Sequence, residues 1–252
     1  MPQARAAAEK AVSLDEKLAS AHTALGLVQL YYDRNLAAAE RQFRRAIELT
    51  PNDASAHLWY GMYWALLQRG EASLPELRLA QQLDPLSIQT NVYVGFALYL
   101  LRDYDQVVAQ SQESLKIDPQ NWGSHANLGE AYCQTGKFTE AITEFETANE
   151  LSHSPALLGE LGYIYGAAGK STEARRVLAE LNELSKRRYV PAYAIAVVYL
   201  GLGDREKTLT WLEKAADDHS EDFASLKTDP KFDALRSDAR FADLVRRIGL
   251  PP

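Results

Sequence analysis

The sequence predicts an all-α protein built from stacked helix–turn–helix repeats. Short motifs ending in a small residue recur along the chain, with spacings of 35, 34, 34, 33 and 34 residues. The small residues are, in order, Gly26, Gly61, Gly95, Gly129, Gly162 and Ala196. A proline lies ten residues before each of the three middle glycines, at Pro51, Pro85 and Pro119. A fixed period of this length is typical of a repeat protein whose units stack on their neighbours.

Each unit has the pattern of two helices joined by a short turn. The first helix carries the Gly or Ala, which we expect where another helix approaches closely. The second helix carries a small residue and, four positions later, a larger one. The pairs are Ala39 with Phe43, Ala141 with Phe145 and Ala174 with Leu178. That spacing places both members of a pair on one helical face, and the proline then stops or begins a helix.

These features resemble the tetratricopeptide repeat, a helix–turn–helix of about 34 residues. The match is best from Trp122 to Pro155. There the family positions are held by Leu128, Gly129, Tyr132, Ala141, Phe145 and Ala148. The resemblance implies a right-handed superhelical solenoid with a C-terminal capping helix. Pentatricopeptide repeats have a similar period but bind RNA. The proline and Gly/Ala/Phe positions, with the acidic charge balance, favour the tetratricopeptide interpretation.

The register of the repeats predicts an array over residues 1–222 and a capping segment over 223–252. Residues 2–18 match only the second half of a unit, which we expect of an excised C-terminal portion of a longer protein. Six full repeats are predicted at 19–53, 54–87, 88–121, 122–154, 155–188 and 189–222. The first has one extra residue, placed in its turn near Asp33 to Leu36.

The last thirty residues break the repeat. Asp229-Pro-Lys-Phe-Asp-Ala-Leu is echoed nine residues later by Asp238-Ala-Arg-Phe-Ala-Asp-Leu, and each Asp is a candidate N-cap. A final helix over about 238–248 is predicted to cover the open end of the solenoid. Its apolar stripe is Phe241, Leu244, Val245 and Ile248. This ending resembles the C-termini of bacterial multidomain regulators, in which a tetratricopeptide array follows a kinase, adenylate-cyclase or winged-helix domain.

Composition excludes several classes of partner. Lys and Arg number 27 and Asp and Glu 34, so the net charge is −7, and an acidic surface repels nucleic-acid phosphates. The longest apolar runs, such as Tyr93 to Leu101, are too short to span a bilayer. The N-terminus has no hydrophobic core or cleavage site of a secretion signal. We expect a cytoplasmic protein with neither nucleic-acid nor membrane partners.

No pattern for catalysis or metal binding is present. His22, His57 and His125 occupy the same place in three repeats, and equivalent positions lie about 10 Å apart in such a stack. Zinc–nitrogen bonds of about 2.0 Å cannot bridge that distance. We expect the histidines to replace the tryptophan of the family as packing residues, and Cys133 also to pack. The chain has no GxGxxG, Walker, GxSxG or HExxH motif, so no catalytic residue, metal or cofactor is predicted.

The family resemblance implies that the first helices line a concave groove. The helical stripe opposite the pattern positions is expected to face it. That stripe comprises Leu58, Met62, Val92, Phe96, Tyr99, Glu130, Tyr163, Tyr193 and Val197. It lacks the Lys/Asn/Arg set that binds a C-terminal carboxylate, and it is apolar and aromatic instead. A contiguous apolar strip of this kind predicts a protein or peptide partner. The alternative is that these side chains only pack helix against helix.

The resemblance therefore implies a non-enzymatic module that binds a protein or peptide through the concave groove. Such a module would be a scaffold or the sensory part of a larger bacterial regulator. One alternative is a regulatory switch gated by a peptide ligand, which differs in that the groove changes shape on binding. A helical-repeat enzyme is another, and it requires a deep pocket with converging polar groups.

Overall fold

The computed structural model describes residues 2–217 and 224–248, and these ranges contain helices but no strand. The α-helices are α1 Pro2–Leu14, α2 Ala19–Leu27, α3 Leu36–Leu49, α4 Ala54–Leu66, α5 Gly70–Leu83, α6 Ile88–Leu100, α7 Tyr104–Ile117, α8 Trp122–Gln134, α9 Phe138–Ser152, α10 Pro155–Ala167, α11 Ser171–Ser185, α12 Ala192–Gly201, α13 Arg205–Asp217 and α14 Ala239–Arg247. A π-helical turn, Val28–Tyr32, extends α2, and a 3₁₀ helix, Pro230–Leu235, precedes α14. Among the helices of these ranges, none has both the length and the apolar composition needed to cross a bilayer.

The helices pair as the period predicts. Helix α2 packs on α3, α4 on α5, and so on to α12 on α13, while α1 packs on α2. Each first helix also packs on the first helix of the next repeat, as α4 does on α6 and α10 on α12. Contacts between neighbouring units in one direction produce a solenoid. The fold is all-α and superhelical, as expected.

Short polar side chains start the first helices at a fixed place in the repeat. Asp53, Ser87, Asn121 and Ser154 each accept a backbone N–H of the helix that follows. This satisfies donors that would otherwise lack a partner. The prolines at 51, 85 and 119 lie in the turns just before the first three of these caps.

The small residues Gly26, Gly61 and Gly129 lie where the second helix of the same repeat approaches closely. A Cβ added to Gly129 would lie 2.2 Å from the ring of Phe145, and one added to Gly26 would lie 2.7 Å from Phe43. Both phenylalanines are fully buried. The predicted close approach is confirmed at these two positions.

The extra residue of the first repeat lies earlier than the sequence suggested. One residue in each turn within a repeat has a positive φ, and it follows Gly61 and Gly129 by seven positions, at Gln68 and Gly136. In the first repeat it follows Gly26 by eight positions, at Arg34. The π-helical turn between them accommodates the additional residue by widening the helix, so the turn itself keeps its normal length.

The C-terminal residues have two different locations. Helix α14 packs on α13, and its predicted apolar stripe is buried against Leu209 and Leu212. Arg240 joins the two helices by ion pairs to Glu206 and Glu213. Residues 224–235 run along the first helices, and Leu226, Phe232 and Leu235 also belong to the apolar cluster that α12, α13 and α14 form at the end of the solenoid.

Candidate binding groove

The first helices line a concave groove, and residues 224–235, here named the docked segment, lie within it. Ala224 packs near the first and second repeats, and Phe232 contacts Tyr193 in the sixth. First helices of neighbouring repeats are about 10 Å apart, so a straight stack would separate these repeats by about 50 Å. The stretch from Ala224 to Phe232 spans at most about 30 Å. Only a surface curved around the segment allows both contacts.

A buried lysine lies at the centre of the groove. Lys231 Nζ donates to both carboxylate oxygens of Glu160 at 2.8 Å. It also lies 3.4 Å from Asp229 Oδ2, 3.6 Å from Glu130 Oε1 and 5.8 Å from the centre of the Tyr163 ring. The Lys231 side chain is 3% exposed. A buried ammonium group is tolerated only where it is paired and hydrogen-bonded in this way.

The surroundings shift the proton affinities of this cluster. Burial by itself would lower the pKa of Lys231, but the carboxylates of Asp229 and Glu160 outweigh it and raise that pKa well above 10.5. Burial raises the pKa of Glu130 to about 8, although Lys231 acts against the shift. Glu130 therefore takes up a proton more readily than an exposed glutamate does.

Further polar contacts hold the docked segment. The Tyr99 hydroxyl donates to Asp229 Oδ1 at 2.8 Å, and burial raises the pKa of Tyr99 well above its usual value of 10.0. Arg102 forms two bonds to the Asp233 carboxylate, at 2.7 and 2.8 Å. Gln68 Nε2 donates to the Thr228 carbonyl at 3.4 Å. Buried apolar side chains of the segment supplement these contacts, namely Leu226, Phe232 and Leu235.

Three side chains that reach toward the segment have an unusual backbone conformation. Arg34, Gln68 and Arg102 have positive φ, whereas the corresponding residues of the last three repeats are glycines. A non-glycine residue pays a conformational cost in this region. Gln68 and Arg102 bond the docked segment, and Arg34 lines a small cavity together with Ala224. A non-glycine residue therefore occupies the positive-φ position in the first three repeats, where its side chain lies near the docked segment.

The predicted groove residues fall into two groups. Tyr99, Glu130, Tyr163 and Tyr193 lie against the docked segment. The other five do not form an exposed stripe. Leu58, Met62 and Val197 are buried at 2%, 0% and 0% exposure, and Val92 and Phe96 are partly buried, Phe96 by stacking on Tyr99. The expectation of a solvent-facing strip fails here because the first helices pack tightly on one another.

Sequence reasoning missed the charged residues of the groove. Lys231 and Asp229 belong to the motif that was interpreted as part of a cap. Glu160 occupies a polar position in the otherwise apolar helix α10. A single carboxylate among apolar residues indicates a charged group that needs a partner, and this signal was present in the sequence.

The histidines and the cysteine have structural surroundings. His57 joins Glu76 at 2.5 Å through Nδ1 and the Pro51 carbonyl at 2.8 Å through Nε2, and His22 and His125 make equivalent pairs of contacts. Burial raises the pKa of the Cys133 thiol to about 12, which keeps it in the unreactive protonated form. Within residues 2–217 and 224–248, no three His, Cys, Asp or Glu side chains are grouped to hold a metal ion.

An open cavity adjoins the docked segment. Its volume is about 510 Å³. It is lined by Trp122, Leu151, Ser152, Ser154, Ala156, Leu157, Glu160 and Tyr193. Trp122 is 49% exposed and Leu151 37% exposed, while Glu160 on its wall is the residue that binds Lys231. The cavity therefore combines exposed apolar surface with a carboxylate.

Comparison with known proteins agrees with this architecture. Two family models described as tetratricopeptide repeat match residues 29–88 and 111–143. Superkiller complex protein 3 of Mus musculus is 28% identical over 192 residues, which is 73% of this chain and 12% of that protein. The Cut9–Hcn1 hetero-tetramer of the APC/C has a TM-score of 0.65 at 18% identity, covering 98% of this chain and 45% of that one. The type IV pilus biogenesis factor PilW has a TM-score of 0.60 at 16% identity, covering 79% and 93%.

The fold and these matches define a helical-repeat solenoid. The chain contains tetratricopeptide repeats, at residues 29–88 and 111–143. It spans about an eighth of the length of Superkiller complex protein 3, one of the sequence relatives that it matches.

Proposed function

We propose that this chain is an interaction module that binds a protein or peptide along its concave side and acts by binding rather than by catalysis. The observation that carries the proposal is the docked segment, a stretch outside the repeats that meets first helices throughout the array. It is held by a paired lysine, a buried phenylalanine and a hydrogen bond to a backbone carbonyl. These are the means by which grooves recognise peptides.

The open cavity is the proposed place where a separate partner makes contact. Trp122 and Leu151 offer exposed apolar surface, and aromatic residues in pockets dominate binding energies. Glu160 at the wall is already paired with Lys231 of the docked segment. A partner with an apolar or aromatic side chain fits this lining. The cavity adjoins Tyr193, one of the residues that the sequence assigned to the groove.

A role as a scaffold within an assembly is the form of this function that we favour. Superkiller complex protein 3 is named for a complex, and Cut9–Hcn1 is a hetero-tetramer. More specific forms of the proposal are that the chain is the sensory part of a bacterial regulator, or a switch gated by a peptide. We also propose a cytoplasmic location and a division into an array over 1–222 and a C-terminal segment over 223–252.

Quantitative affinity capture from the source cells tests the proposal with three baits. These are the wild-type chain, Trp122→Ser and the control Leu86→Ser. Leu86 is 72% exposed and lies outside the cavity, so both changes remove a large exposed apolar side chain without leaving a core void. We expect a partner that the control retains and that Trp122→Ser loses by at least about tenfold, equivalent to about 1.4 kcal/mol. Identical captured proteins with all three baits would contradict the proposed site.

A further inference from the structure

We infer that the concave groove recognises a peptide presenting lysine followed by an aromatic residue, and that the docked segment occupies it as an internal ligand. A partner peptide of the same chemistry would then compete with the segment for the groove. The inference rests on the proposed function, and it specifies the chemistry of the ligand.

The array itself supplies a receptor for a lysine side chain. Glu130 lies on α8, and Glu160 and Tyr163 lie on α10, so two repeats contribute carboxyl groups and the face of an aromatic ring. With the segment in place, the Glu130 and Glu160 side chains are only 14% and 13% exposed. A carboxylate that a bound peptide encloses is costly unless the peptide supplies a cation. The groove therefore favours a ligand with a basic side chain at this point.

Other side chains of the groove contact the residues on either side of the lysine and favour particular residue types there. The Tyr99 hydroxyl donates to the acidic residue two positions before it, Asp229. The Tyr193 ring meets the next residue, Phe232, edge-on, with ring centres 6.1 Å apart. Pro230 fixes one backbone angle between the acid and the lysine, which lowers the entropy that a bound peptide loses. The preferred order is thus acid, proline, lysine, aromatic.

These contacts suit an exchangeable ligand better than a fixed part of the fold. A segment that served only to stabilise the fold would contribute as much stability with apolar side chains, since a buried ion pair adds little net stability. Buried polar pairs are best attested where register or a choice between states must be specified. Arg102 and Gln68 add bonds to the segment at positions where their backbone is strained. The groove therefore specifies one sequence in one register.

Fluorescence anisotropy with a labelled peptide tests the inference on the full chain. The probe is a synthetic copy of residues 224–236, and the receptors are the wild-type chain, Lys231→Glu, and Lys231→Glu with Glu160→Gln. The glutamate adds a negative charge beside Asp229 and Glu160, which should expel the internal segment. We expect the probe to bind Lys231→Glu at least about tenfold more tightly than wild type, with the second change reversing the gain. A probe with norleucine in place of its central lysine is the matched control and should not bind.

Two results with the Lys231→Glu chain would overturn the inference. The folded chain does not bind the probe, or it binds the norleucine probe equally well. A wild-type dimer that Lys231→Glu converts to a monomer, seen by light scattering, also overturns it, because a second copy would then supply the segment.

Hydrogen exchange on the wild-type chain decides the matter if Lys231→Glu does not fold. An exchangeable ligand opens without global unfolding. Amides of 226–235 should then exchange at least about tenfold faster than the central amides of α8 and α10. Equal rates, limited by global unfolding, would make the segment a fixed part of the fold. The capture experiment at Trp122 uses wild-type chain with the segment in place, so failure of the proposed cavity and failure of this inference give different results.

Discussion

Single histidines tie the loops between repeats to the second helices. His57 connects the carbonyl of Pro51 to the carboxylate of Glu76, and the equivalent contacts recur in two other repeats. The sequence identified the position and predicted that histidine packs there in place of tryptophan. It did not reveal the hydrogen bonds, because the partner on the second helix is separated by nineteen residues and follows no motif.

Replacing His57 with alanine should lower the free energy of unfolding by about 1–3 kcal/mol, since it leaves a buried carbonyl and a carboxylate without their partner. Urea denaturation followed by circular dichroism measures this. His153→Asn is the control, because His153 lies at a left-handed helix end that asparagine tolerates. The control should change stability by less than about 0.5 kcal/mol. Equal effects of the two substitutions would show that the bridge contributes nothing specific.

Glu130 should make stability depend on pH. Its pKa is about 8 in the folded chain against an ordinary value of 4.5, because burial disfavours its charged form. Folding therefore takes up a proton between these values. The contribution of Glu130 to stability is complete below about pH 4.5 and is lost as the pH rises toward 8.

Glu130→Gln removes this titration, so the stability of the wild type should fall relative to the variant between pH 5 and pH 8. The slope is at most about 1.4 kcal/mol per pH unit for one proton. Denaturation of both proteins across this range provides the measurement. Parallel curves would contradict the assignment of the raised pKa to Glu130.

At the level of elements, the turns within repeats depend on one left-handed residue. Gly136 has φ of +76°, and a Cβ added there would meet no atom within 4 Å. Any cost of Gly136→Ala is therefore backbone strain, which should be about 1–2 kcal/mol. Gly70→Ala is the matched control. Gly70 begins α5 with ordinary φ, and its nearest neighbour would be a Leu101 side-chain atom at 3.4 Å.

Thermal unfolding compares the two variants. Gly136→Ala should lower the melting temperature, while Gly70→Ala should leave it unchanged or raise it, because alanine favours a helix over glycine. A fall of the same size in both would mean that the loss of glycine, rather than the sign of φ, determines stability.

Periodicity predicts elements well where they contact their neighbours. The two helices that each repeat predicts do pair along the array, and the last helix expected at 238–248 is Ala239–Arg247. These contacts are between adjacent units, so a repeating pattern records them. The extra residue of the first repeat was predicted in the turn rather than in the π-helical stretch before it, because an inserted residue leaves the pattern intact on both sides.

The repeat pattern could not predict contacts between residues that are far apart in the sequence. Tyr99 and Asp229 are separated by 130 residues, and Lys231 and Glu160 by 71. The docked segment occurs once, so no period relates its residues to the helices that they meet. The sequence consequently predicted Tyr99, Glu130, Tyr163 and Tyr193 as groove residues but gave no indication of the segment that lies against them. Leu58, Met62 and Val197 were assigned to an open surface because helical spacing alone does not show how closely the repeats wind.

For the whole molecule, the main feature is that the array of repeats curves around the docked segment. The array curves so that first helices from all six repeats surround one short stretch of chain, and that stretch continues into α14 on the last repeat. The same residues thus join the middle of the array to its end. A partner on the concave side meets a surface that is partly filled, with the cavity beside Trp122 open.

We propose that the concave groove binds polypeptide through a lysine held by acidic side chains of the repeats. A double-mutant cycle of Lys231→Met and Glu160→Gln tests this pairing, with the free energy of unfolding measured for the wild type, both single variants and the double variant. Residues in contact within one ion-pair network show coupling energies of about 0.5–3 kcal/mol. We predict a favourable coupling of at least about 1 kcal/mol in a chain that remains helical. Additive effects of the two substitutions, within about 0.3 kcal/mol, would show that Lys231 does not occupy the groove in solution.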